Sequence, residues 1–125
     1  MAQRDNRRTK FRFEDLQIWQ LSVEIAEILF NIADELEEKK LFRFAEQLRG
    51  AGISMSNNIA EGSGSLSKKE FIQFLNFARR STFENANMTI IFTRRGLIAQ
   101  QRSDDVLQKL DMLCRKITSF QRSLK

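Results

Sequence analysis

The chain has 125 residues, 42% of them hydrophobic and 30% charged, which suits one soluble globular domain with a modest core. It has no histidine and one cysteine, Cys114, so an intrachain disulfide is excluded and neither a metal centre nor another cofactor is expected; the commonest general base is also missing. The net charge of +5 favours nucleic acid or another acidic partner, and the short, charge-interrupted apolar runs exclude a transmembrane helix.

Residues 1–13 carry Arg4, Arg7, Arg8, Lys10 and Arg12 without the apolar stretch of a secretory signal. They read as a flexible basic segment, either a plain tail or a non-specific nucleic-acid arm, and a cytoplasmic location is the default. A helical domain is expected over 14–125. Proline is absent, so long unbroken helices are expected. The first spans about Glu14 to Glu38, with Leu16, Trp19, Val23, Ala26, Phe30, Ala33 and Glu37 three and four apart, and with Leu29, Ile32 and Leu36 widening the stripe. The second spans about Leu41 to Glu61, with Phe44, Leu48, Ala51, Met55 and Ile59 on one side; Gly50 and Gly52 lower its propensity and admit close approach by another helix. The third opens at Ser67, where Ser67 and Glu70 have capping-box spacing, and runs to about Ile98. The fourth opens at Ser103, ahead of two aspartates, with Val106, Leu107, Leu110, Leu113, Ile117, Phe120 and Leu124 as its stripe. Short connections make neighbours antiparallel, which predicts an all-α, up-down-up-down four-helix bundle.

Between the second and third helices lies Ser-Asn-Asn-Ile-Ala-Glu-Gly-Ser-Gly, Ser56 to Gly64. A phosphate loop needs a preceding strand and a different glycine spacing, and Glu61 has no base, nucleophile or ligand set beside it. The residues therefore read as a corner. Gly62 or Gly64 ends the helix with positive φ, Ser67 restarts the chain, and Asn57, Asn58 and Glu61 hydrogen-bond the loop or the adjoining helix.

The pattern S-N-N-I-A-E-G-S-G-x-x-S-K-K-E-F-x-x-F from Ser56 to Phe74, together with "FEDLQIWQLSVEIA" and the closing amphipathic helix, resembles the four-helix bundle family encoded within intervening sequences of bacterial 23S ribosomal RNA genes. The resemblance covers nearly everything after Phe13. It implies a four-helix protomer and a ring-shaped homopentamer. A more distant likeness is to accessory factors of diversity-generating retroelements, which bind nucleic acid and a reverse transcriptase. Two departures stand out: the corner "ELEEKKLF" lacks a proline common in relatives, and Ser65 stands where arginine is frequent.

The third helix carries the partner-facing residues. At about 100° per residue from Lys68, Phe71, Phe74, Leu75, Ala78, Asn85, Thr89 and Phe92 share the bundle side, whereas Lys69, Arg80 and Arg94 gather opposite them. Ile72, Phe83 and Ile90 lie off the main stripe and would crown a monomer with apolar surface, so they are candidates for an oligomer interface. The basic pairs Lys68-Lys69, Arg79-Arg80 and Arg94-Arg95 are candidate phosphate contacts, unless acids such as Glu24, Glu27, Asp34 or Glu35 neutralise them. The phenylalanines follow core spacing and show no platform for stacking bases. A non-enzymatic, homo-oligomeric accessory protein that binds RNA or DNA through this surface is the expected function. The alternative is a scaffold for an acidic protein partner, such as a reverse transcriptase-type protein.

Overall fold

The computed structural model describes residues 8–125. A 3-10 turn, Arg12–Asp15, leads into α1 (Gln17–Glu38), α2 (Phe42–Ser63), α3 (Lys68–Arg94) and α4 (Gln100–Ser123), with no strand among the described residues. The helices form an antiparallel bundle in chain order. Each packs mainly on its sequence neighbour, and the α1–α4 seam is the thinnest of the helix–helix contacts.

The core runs the length of the bundle through Ile25, Leu29, Ile32 and Leu36 of α1, Leu48, Met55 and Ile59 of α2, Leu75 and Ala78 of α3, and Val106, Leu113 and Ile117 of α4. In α1 the buried row is Ile18, Ser22, Ile25, Leu29, Ile32 and Leu36. Of the row expected from sequence, Ala26 and Ala33 are buried, Trp19, Val23 and Phe30 only half-buried, and Glu37 exposed. Ser22 conceals the true row, because a serine breaks the apolar pattern. Its hydroxyl donates to the Trp19 carbonyl at 2.7 Å and so enters the core satisfied. Phe44 lies on the expected α2 stripe yet is exposed, its ring 5.2 Å from that of Phe92.

Two helices end in left-handed caps. Lys40 has φ 65°, with the Leu41 amide bonded to the Leu36 carbonyl at 2.9 Å and the Lys40 amide to the Glu37 carbonyl at 2.8 Å. Gly96 has φ 76° and repeats the arrangement with Leu97 onto Phe92 at 2.9 Å, which stops α3 at Arg94 instead of Ile98. α4 begins at Gln100, before the expected Ser103. Ser103 is 1% exposed and belongs to the buried row that continues through Val106 and Leu110. The added turn is held by Arg102 paired to Glu35 at 2.6 Å and by Gln100 donating to Asp104 at 2.8 Å.

Inside the α2–α3 contact, fully buried Asn85 donates to the Ala51 carbonyl at 2.7 Å and the Ser81 carbonyl at 2.8 Å. A Cβ on Gly52 would sit at ordinary contact distance from Leu29 Cδ1 of α1, 3.4 Å, and one on Gly50 would meet nothing within 4 Å, so neither glycine is required for close approach by another helix. Arg49 joins α2 to α1 through Asp34 at 2.7 Å and Glu37 at 2.9 Å, and these hydrogen bonds, Asp34 first, raise its pKa.

Of the basic segment expected to be flexible, Arg4 and Arg7 lie outside the described residues. Arg8 pairs with Glu14, Lys10 with Asp15, and Arg12 reaches the Ser63 carbonyl at 3.4 Å. Phe13 sets its ring 5.2 Å from Trp19.

Candidate nucleic-acid interface

α3 is a continuous helix of 27 residues, about 40 Å long. Lys68, Lys69, Arg80, Arg94 and Arg95 are exposed along it. Among the described residues, none of these five side chains makes an ion pair or a hydrogen bond. Of the acids that could have neutralised them, Asp34 holds Arg49 and Glu35 holds Arg102. Lys69, Arg80 and Arg94 form a row of cations without an ion-pair partner among the described residues, spaced by about 17 and 21 Å along the axis. Arg79 differs. It is half-buried, donates to the Thr118 hydroxyl of α4 at 3.3 Å and stands 5.9 Å above the Phe83 ring. Its guanidinium belongs to the α3–α4 seam, away from the row.

The apolar ridge borders the same seam. Phe83 is 63% and Ile90 45% exposed, whereas Ile72 is half-buried and its carbonyl accepts from Gln121 at 3.1 Å. Phe83 and Ile90 flank a groove of about 390 Å³ floored by Leu107, Leu110 and Cys114.

The corner is built differently from its sequence-based expectation. Gly64 has φ −84°, Gly62 lies inside α2, and neither has positive φ. The helix unwinds through tight bonds from the Gly64 amide to Glu61 at 3.1 Å and the Ser65 amide to Gly62 at 3.0 Å. Gly62 is needed for space: a Cβ there would lie 2.8 Å from Phe71 Cδ1 and 2.8 Å from Phe74 Cβ of α3. Because α2 continues to Ser63, Asn57, Asn58 and Glu61 sit within the helix and do not tie down the loop. Asn58 donates back to the Ser54 carbonyl at 2.9 Å, and the Asn57 and Glu61 side chains make no hydrogen bond among the described residues. Ser67 does cap α3, its hydroxyl accepting from the Glu70 amide at 3.1 Å, but the return bond from Glu70 does not form.

Phe77 escaped the sequence reasoning. It is 40% exposed beside Arg80, on the α2 edge of α3. The signal was its position about 180° from Lys68, well off the bundle stripe.

An antiparallel bundle whose third helix bears a cationic row defines a small helical protein, and no described helix is long and apolar enough to cross a membrane. Residues 14–119 match the 23S rRNA-intervening sequence protein family, and the chain belongs to that family. It is similar in fold to a crystal structure of a protein of unknown function from the S23 ribosomal protein family of Bacteroides thetaiotaomicron. The TM-score is 0.78 and the identity 23%, over 83% of this chain and 97% of that one. No curated protein matches the chain.

Proposed function

We propose that the protein is a non-enzymatic, homo-oligomeric accessory factor that binds RNA or DNA without sequence readout through the exposed face of α3. The observation that carries this reading is the row Lys69, Arg80 and Arg94, three cations on one helix face with no acidic partner among the described residues. Phosphates of a nucleic-acid backbone supply the missing counter-charge, and their displaced counterions supply the free energy. The exposed Phe83 and Ile90 favour association of copies, as a cyclic pentamer by family likeness, which would multiply a modest row into a multivalent surface.

A salt titration of binding to unrelated RNA and DNA duplexes tests the proposal. Wild type should bind all of them with similar affinity, falling steeply as salt rises. Replacing Lys69, Arg80 and Arg94 together by glutamine should weaken every complex alike and flatten the salt slope by up to about three units. No binding at low salt, or a triple variant indistinguishable from wild type, would favour the scaffold role toward an acidic protein.

A further inference from the structure

We propose that the shallow groove between α2 and α3, lined by Ser54, Asn58, Phe77, Arg80, Ser81 and Glu84, seats one unpaired base of a single-stranded nucleic acid. The groove is open to solvent, with a volume of about 440 Å³. This inference rests on the reading that nucleic acid lies along α3, but it can fail while that reading stands.

The groove holds the groups a base requires. Ser81 lines the groove but is only 6% exposed, and its hydroxyl oxygen is buried without a hydrogen-bond partner, so it pairs with a base only by rotating toward the groove. Asn58 has its amide nitrogen fixed on Ser54, 2.9 Å from the carbonyl and 3.3 Å from the hydroxyl, which orients the amide and leaves its oxygen free to accept. Arg80 and Glu84 are one helical turn apart yet form no ion pair, so both retain their bonding capacity. Phe77 supplies an aromatic face. Its ring is braced edge-on by Phe74, at 5.9 Å between centroids and 89° between planes, and it remains 40% exposed. Bases stack on such a face regardless of sequence.

Other occupants fit less well. A phosphate placed in the groove meets Glu84 as well as Arg80, so attraction and repulsion offset each other, whereas a base edge offers N–H donors to Glu84 and Asn58. An apolar peptide side chain would leave the Ser81 hydroxyl and the Asn58 oxygen unmatched at a cost. Arg80 also belongs to the cationic row, so a strand whose phosphates follow Lys69, Arg80 and Arg94 passes the groove at its midpoint. A duplex keeps its bases paired and cannot fill it.

The test is fluorescence anisotropy at one fixed low salt, with a 12-nucleotide single-stranded RNA of mixed sequence and the same sequence as a duplex. The proteins are wild type, Phe77→Leu and Ser81→Ala. The expected result is tighter wild-type binding to the single strand. Phe77→Leu should weaken it about tenfold, within the range for one base stacked on a ring. Ser81→Ala should weaken it about threefold, with its melting temperature unchanged because the hydroxyl bonds nothing in the protein. Duplex affinity should stay within twofold in both variants. Equal losses on both probes, or no loss on either, overturn the base-seating groove and leave the phosphate row standing. A Phe77→Leu protein that sediments at a different mass also overturns it, by assigning Phe77 to contact between copies. Displacement of the strand by millimolar mononucleotide would assign the groove to free nucleotides instead. Failure of wild type to bind either probe overturns both readings.

Discussion

Alanine at Gly62 would test how α2 meets α3. Inside a helix, glycine to alanine ordinarily gains about 1 kcal/mol, from propensity and from a less disordered unfolded chain. Here the new methyl would lie 2.8 Å from both Phe71 Cδ1 and Phe74 Cβ. The Phe71 ring can swing aside. The Phe74 Cβ is fixed to the backbone, so the first turns of α3 must shift. Overpacking of this kind costs about 1–3 kcal/mol, and a contact against a main-chain-anchored atom belongs at the upper end. The net expectation is a loss of about 2 kcal/mol, or about 8 °C in melting temperature for a domain of this size. Guanidinium unfolding followed by circular dichroism at 222 nm, at fixed protein concentration, should show a lower midpoint with an unchanged slope. Gly64→Ala is the control. Its methyl would meet only the Glu61 carbonyl at 3.5 Å, so it should be neutral or slightly stabilising. If Gly62→Ala matches or exceeds wild type, the close approach of the two helices does not limit the choice of residue there.

Three further outcomes are expected. Asn85→Asp places a carboxylate against the Ala51 and Ser81 carbonyls, raising its folded pKa above the unfolded value of about 3.9, so stability survives below that pH and falls as pH rises through the folded pKa. The variant should lose about 3 kcal/mol or more at pH 7, and its melting-temperature gap to wild type should narrow at pH 4. Ser67→Ala removes the single bond to the Glu70 amide and should cost about 1 kcal/mol in the same unfolding assay. Wild type should sediment as an assembly larger than the 14.7 kDa protomer, and Phe83→Glu combined with Ile90→Glu should return it to near that mass; a wild-type mass already at the protomer value refutes the proposed assembly.

The helices and their order were legible because apolar periodicity is strong in all four and proline is absent. The Ser67 cap was legible because a serine ahead of an acidic first turn has few other uses. The α1 row was misplaced because Ser22 enters the core by bonding its own turn, a local solution that hydropathy does not register. At the corner, glycine signalled conformational freedom, but Gly62 serves clearance for Phe71 and Phe74, and clearance depends on a partner helix that local sequence does not show. The positive φ fell at Lys40 and Gly96. The lysine carries no marker for it, and Gly96 was hidden within the expected span of the third helix. The cationic residues of α3 could be counted in the sequence. That Arg79 is committed to Thr118 while Arg80 is not emerges only when α4 is in place.

The thin seam between α1 and α4 also shapes how the chain reaches its fold. Nearly all packing joins helices adjacent in sequence, so contact order is low and the successive hairpins can form without closing long loops. The seam that joins first helix to last is the exception. It contains the largest loop-closure entropy in the molecule and only a thin contact, with the Arg102–Glu35 pair across it, to offset that entropy. Parting at that seam leaves the three interfaces between sequence neighbours in place, so native-state hydrogen exchange is expected to show its lowest-energy opening where α1 meets α4.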